Sequence, residues 1–436
     1  MSNTTEQNDS PENNTSVEFK NSSQNSIEIP IVNVYAKGDY CAQVFIGHRK
    51  EPANLVLDTG SSTLVVQSED YNPADDECLT ATVYAQSITY GMGGWFGPVV
   101  KTKVSMGSES NSVELDDVNV AVAHKEQPGN FMGADGILGL AYYELNKAYD
   151  LSEYLNENNI KPAFTYPWFL ADEQQDDSVK EFKKFLKDYP REYLTPYFTQ
   201  LETQGVVANQ FAFYVHRSSV YQTDSKRPLE TLEQHPLNQG LFVLGMPRQH
   251  KQLYQGDFKK VKVLDDKYYN VHVESLQVGQ CAARKAPLLK QINRRYRSNG
   301  IMDTGASAIV LPKSLFDQML EDFKSINPQF DTILEPYKTF EGVEEGVDAS
   351  LLDLAQWPDI TITLEGFDDE SVELVLTPEC YWQMHAPEPN QASFQFVFLE
   401  NWPNQCILGL PIMTRYYTIF DRRECEFGGV FFAEKK

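Results

Sequence analysis

The chain has 436 residues, 41% of them hydrophobic, and a formal net charge of -25. That length supplies a large core or two domains of ordinary size. The charge repels a phosphate backbone over most of the surface, which argues against a nucleic-acid partner. No apolar run reaches the length of a membrane-spanning helix. Short apolar segments broken by Gly, Pro and Asp outnumber helical patterns, which predicts a mainly β protein.

Residues 1–27 are polar, with the composition of a disordered tail and no apolar core of a secretory signal. Residues 28–48 read as paired strands around a turn at Lys37-Gly38-Asp39. The stretch Asn54 to Val66, NLVLDTGSSTLVV, follows. It is an apolar strand that stops on Asp58, a turn Thr59-Gly60-Ser61-Ser62, and a second apolar strand. An acid closing a buried strand is costly unless partners hold it, and the neighbouring hydroxyls can do so. Gly60 leaves room for another backbone or a ligand. Ser87 to Gly97, SITYGMGGWFG, reads as an aromatic hairpin with a glycine-rich tip. Asp135 to Tyr142, DGILGLAY, closes this unit.

Between residues 143 and 195 the pattern changes. Ser178 to Asp188 places Val179, Phe182, Phe185 and Leu186 on one helical face, with Asp177 or Ser178 as N-cap. The acidic run Asp172 to Asp177 before it reads as a solvated loop. Strands resume at Gln210, and the polar loop from Arg217 to Gln239 marks the expected boundary. The division is thus a tail over 1–27, one lobe over 28–217 and another over 218–436. In the second lobe a basic segment carries Arg284, Lys285, Lys290, Arg294, Arg295 and Arg297 with no acid among them; it reads as a loop offsetting negative surface, the alternative being a patch that steers acidic partners.

The turn grammar then returns at Gly300 to Pro312, GIMDTGASAIVLP. Apolar residues lead into Asp303; Thr304, Gly305, Ala306 and Ser307 make the turn; a strand continues. Ile137-Leu138-Gly139-Leu140 follows the first copy and Ile407-Leu408-Gly409-Leu410 the second. A repeated acid-turn with a repeated follow-on implies two similar lobes. If the lobes pack about a pseudo-two-fold axis, Asp58 and Asp303 meet and share one proton. The ionised member can take a proton from water while the protonated member donates to a carbonyl oxygen. Such chemistry needs neither metal nor cofactor, and the six cysteines form no tight zinc-type pair.

These motifs together (VLDTGSS, SITYGMG, DGILGLAY, IMDTGAS, ILGLPIM and YYTIFDR) resemble the pepsin-like aspartic proteases over nearly the whole chain after the tail. The resemblance implies an all-β, bilobal fold of two β-barrel-like lobes joined by a sheet. It implies that Asp58 and Asp303 are the catalytic pair and that Thr59 and Thr304 cross-link the turns. Ser61 corresponds to the serine that bonds the first acid, with Ser307 in the supporting turn. Gly60, Gly305 and Ala306 line the cleft floor. Tyr90, Gly91 and Met92 form a flap over substrate, Tyr268 is a cleft aromatic, and Val56 and Phe131 fall near a substrate-side-chain pocket. Peptide or protein substrates and pepstatin-like inhibitors are the implied partners of a monomeric endopeptidase that cuts between hydrophobic residues at acid pH.

The chain also departs from that pattern. Val65 stands where the family has a tryptophan that bonds the flap tyrosine, and Ala306 stands where a hydroxyl residue is common. A basic propeptide and paired cysteines are not recognisable. This is similar to the prosegment-less bacterial relatives of pepsin, the shewasins among them, and implies a cytoplasmic enzyme made in active form. The rival reading is a weakly active or inactive peptide-binding protein on the same scaffold.

Overall fold

A computed structural model describes residues 26–90, 93–108, 110–127, 129, 131–169, 179–223, 227–292, 295–339 and 344–436. The fold is mostly β, as the punctuated apolar pattern predicts, and is bilobal. Its framework is the pairing around the two acid-turns. Strand Glu51–Asp58 runs parallel to Gly136–Gly139, with Asp58 opposite Gly139. After the turn, Leu64–Gln67 runs antiparallel to the same strand. In the second lobe Gly300–Met302 runs parallel to Cys406–Leu408, and Ile309–Val310 pairs antiparallel with it. Both acid-turns are therefore pinned from one side by a hydrophobic-hydrophobic-Gly strand. Parallel strands of this kind are buried on both faces, which accounts for runs such as Leu55-Val56-Leu57 that do not alternate.

The glycines ending those strands are there for space. A methyl group on Gly139 would run into the Ser62 backbone, and one on Gly409 into the Ala306 and Ala308 carbonyls. No other residue lets the turn pass so close.

A sheet of strands from both halves of the chain lies beneath. Ile27–Ala36 pairs with Gln239–Leu244, which pairs with Gln210–Val215, then Tyr416–Asp421, Gly429–Lys435 and Tyr254–Lys262, all antiparallel. The polar loop after Arg217 joins two neighbouring strands of this sheet. Phe211, Phe213, Phe242 and Phe420 pack on one face of it, with ring centroids 5.0–6.1 Å apart.

The sequence-predicted helix after the acidic run spans Val179–Leu186 and buries Val179, Phe182 and Leu186, three of its four apolar-face residues. The capping residues and the acidic run itself fall outside the described residues. One longer helix, Lys313–Ile326, escaped the β-dominated reading, although Leu315, Phe316, Met319, Leu320 and Phe323 follow helical spacing and are buried. The basic segment is not simply a surface loop. Arg284 lies in a short strand against Val273–Val278, and its guanidinium grips Asp322 through Nε at 2.9 Å and Nη2 at 2.5 Å. Asp322 is 3% exposed, so this arginine is spent on holding a buried acid.

Candidate active site

The two turns meet at the interface of the lobes through a symmetric set of bonds. The Thr59 amide donates to Thr304 Oγ1 at 3.0 Å, and the Thr304 amide donates to Thr59 Oγ1 at 2.9 Å. Each hydroxyl then donates across the interface, Thr59 to the Met302 carbonyl at 3.0 Å and Thr304 to the Leu57 carbonyl at 2.6 Å. Both threonines are almost wholly buried. Four such bonds in a dry interface fix the relative position of the loops, since breaking one strands a buried partner.

That cross-link brings Asp58 and Asp303 together. Each carboxyl lies against the glycine of the other acid's turn, and each acid perturbs the other's ionisation. A Cβ on Gly60 would sit 2.6 Å from either Asp303 oxygen, and one on Gly305 would sit 2.6 Å from Asp58 Oδ1. Each glycine thus clears the way for the opposite carboxylate, and each also donates its amide to its own acid. The Gly60 amide reaches Asp58 Oδ1 at 2.7 Å and the Gly305 amide reaches Asp303 Oδ1 at 3.0 Å.

The symmetry stops at the next residue. Ser61 Oγ donates to Asp58 Oδ2 at 2.5 Å. Ala306, its counterpart, has no hydroxyl to offer, and no hydrogen bond ties Ser307 to the pair among the described residues. Burial pushes both acids upward. For Asp58 the Ser61 hydroxyl, the Gly60 amide and Asp303 counter it. For Asp303 burial is reinforced by the Asp58 charge, and it stands well above the usual carboxylate range. The charge of the pair therefore rests on Asp58 and the shared proton on Asp303.

Tyr268 is half-buried beside the pair. Burial, then Asp303 and Asp58, push its phenol up to about 12, while Arg295 opposes them. Its neighbour Tyr269 is a core residue whose hydroxyl donates to the Leu140 carbonyl at 3.0 Å. Tyr90 ends the strand Thr80–Tyr90, which forms a hairpin with Gly93–Ser108. Gly91, Met92 and the side chain of Tyr90 lie outside the described residues. Val65 packs in one buried cluster with Val56, Phe131, Ile137 and Trp95. The fully buried indole of Trp95 thus reaches the neighbourhood of Val65 from the hairpin's returning strand.

One acid near the site was missed by sequence reasoning. Asp39 begins the strand Asp39–Ile46, which pairs with Glu51–Asp58 in the register Cys41 to Val56. Continuing that register by two places sets Asp39 opposite Asp58. Asp39 is 2% exposed, and its Oδ1 has no hydrogen-bond partner. Burial and the Asp58 charge hold it well above the ordinary range, and its own charge in turn raises Asp303. The only signal in sequence was an acid directly after the turn glycine Gly38, at the start of an otherwise apolar strand.

A two-lobed β fold with paired aspartates at its junction defines the class to which comparisons then assign the chain. The family model described as eukaryotic aspartyl protease matches residues 39–177 and 187–429. The chain belongs to that family. It is similar to pepsin-2B of Gadus morhua, at 23% identity over 410 residues, covering 90% of this chain and 96% of that protein. It is similar to pepsin A of Sus scrofa, at 22% identity over 419 residues, covering 92% of this chain and 82% of that protein. Pepsin-3 of Oryctolagus cuniculus is 30% identical over 138 residues, which is 28% of this chain and 34% of that protein.

Proposed function

We propose that the protein is an aspartic endopeptidase that hydrolyses peptide bonds in extended substrates, with Asp58 as base and Asp303 as acid. The observation that carries this reading is the geometry of the cross-linked turns, which sets each acid's carboxyl against the glycine of the other's turn. Asp58 holds the charge because it collects more donors. It takes a proton from a water bound between the acids, and the oxygen attacks the substrate carbonyl carbon. Asp303 gives its proton to the carbonyl oxygen, and a gem-diol forms. The roles then reverse: Asp58 gives its proton to the amide nitrogen, ionised Asp303 takes a proton from a gem-diol hydroxyl, the C–N bond breaks to release an amine and a carboxylic acid, and the pair returns to its starting state.

The rate rises with pH as Asp58 ionises and falls as Asp303 loses its proton. Both groups stand above their ordinary values, so the active window extends from the acid range toward neutrality. Val56 and Phe131, which the resemblance puts near a substrate-side-chain pocket, lie in a buried apolar cluster, and the expected cut is between hydrophobic residues. A statine-type hydroxyl mimicking the gem-diol is the expected inhibitor. The test is a peptide cleavage assay at mildly acid pH. The wild type cuts, and Asp58→Ala loses at least about a thousandfold in kcat/KM. A variant retaining full rate refutes the assignment.

A further inference from the structure

Strand Tyr416–Asp421 of the shared sheet delivers Arg422 to the motif that closes the first lobe. Arg422 Nη2 donates to the Leu140 carbonyl and, at 3.0 Å, to the Ala141 carbonyl. Its Nε donates to the Tyr269 hydroxyl at 2.8 Å, and that hydroxyl donates in turn to the Leu140 carbonyl at 3.0 Å. The guanidinium also lies over the Tyr142 ring, 4.3 Å from its centre, and Tyr142 is tied by its own hydroxyl to the Phe427 carbonyl at 2.7 Å. Among the described residues no acid pairs with Arg422. The adjacent Asp421 is taken by Arg423 at 3.0 Å and by Arg248 at 3.4 Å. The donors of Arg422 therefore go to backbone.

That backbone is the one that holds Asp58. The Leu140 amide donates to the Asp58 carbonyl at 2.6 Å, and the Ala141 amide donates to the Ser61 carbonyl at 2.7 Å. The Leu140 carbonyl and the Ala141 amide are two ends of one peptide unit, so a donor on the oxygen polarises the N–H toward Ser61. Ser61 Oγ then donates to Asp58 Oδ2 at 2.5 Å. Hydrogen bonds thus run unbroken from Arg422 to the carboxyl. The second acid-turn has no such hold. Its follow-on carries Pro411 where the first carries Ala141, and a proline has no amide to donate. The Leu410 carbonyl accepts instead from the Thr414 amide at 3.1 Å.

Resting on the peptidase reading, we infer that Arg422 is a positioning residue for Asp58: through the Leu140–Ala141 peptide it fixes the Ser61 backbone, and with it the hydroxyl that Ser61 turns to the acid. When that hold is weakened, ionised Asp58 keeps its serine donor only part of the time, which moves the acid upward. The titratable groups facing Asp58 are Asp303 across the junction, Asp39 on the paired strand and Tyr268. Those around Arg422 are Tyr142, Tyr269, Asp266 and Asp421. Both phenols stand above their ordinary range, so neither titrates in the acid window, and Asp421 keeps its two arginines when Arg422 is changed.

The test is the acid limb of the kcat/KM profile on one peptide. Arg422→Lys keeps a cation, but a single ammonium cannot reproduce the fork that serves two carbonyls and a hydroxyl. It should move the limb to higher pH by about half a unit, in the same direction as Ser61→Ala. In the Ser61→Ala background it should add little, because the two act in series. Arg422→Gln should shift the limb further, and the lysine variant carries the test if the glutamine variant does not fold. Arg423→Gln takes an arginine from buried Asp421 and touches neither carbonyl. It should lower the melting temperature and leave the limb in place. An Arg422→Lys variant that is less stable with its limb unmoved, or whose shift is undiminished without the serine, would overturn the inference and leave the peptidase standing. A wild type that cuts no peptide would overturn both.

Discussion

The two acid-turns share a backbone scheme and differ in one hydroxyl. Each has a threonine that reaches across the interface, a glycine whose amide serves its own acid, and a strand that pins it through a closely approached glycine. Asp58 alone has a serine, at 2.5 Å, where the second turn has Ala306. Asp58 is also the more buried of the two, at 8% exposure, so without extra donors it would be the worse place for a charge. The comparison shows that donor count, not exposure, decides which acid is ionised. Duplication supplies two equivalent carboxyls, and a single side chain then separates their roles.

Breaking the difference should have the larger effect. Ser61→Ala removes the donor that favours ionised Asp58. The lower apparent pKa of the pair should rise, and the acid limb of the rate profile should move to higher pH by about one unit. A limb that stays in place would show that the serine only shapes the turn. Sharpening the comparison uses Asp39, whose charge burdens one side of the pair. Its folded-state pKa lies above the unfolded value. The folded protein then binds more protons at this site, so stability falls as pH rises from the unfolded value through the folded one. Asp39→Asn should leave the melting temperature nearly unchanged near pH 3 and raise it slightly at pH 7. An equal change at both pH values would point to packing instead.

The sequence displayed what is local and repeated. DTG flanked by apolar strands, with a hydrophobic-hydrophobic-Gly follow-on, exposes the framework because each piece needs only its neighbours in the chain. Val179, Phe182 and Leu186 revealed their helix through spacing alone. The same spacing at Leu315, Met319 and Phe323 went unread because strand-like punctuation dominated its surroundings. What depends on register or on distant partners stayed hidden. Asp39 looks like a turn residue until its strand is aligned with the one ending at Asp58. Arg284 looks like one base in a run until Asp322, on a separate helix, is found beneath it.

Neutron diffraction from deuterium-exchanged crystals at mildly acid pH tests the central claim most directly. The account predicts one deuterium between the facing carboxyls, bound to Asp303 and directed at Asp58, with the Ser61 deuterium also pointing at Asp58. Carboxyls standing apart, or both deuterated in crystals that still cleave peptide, would contradict it.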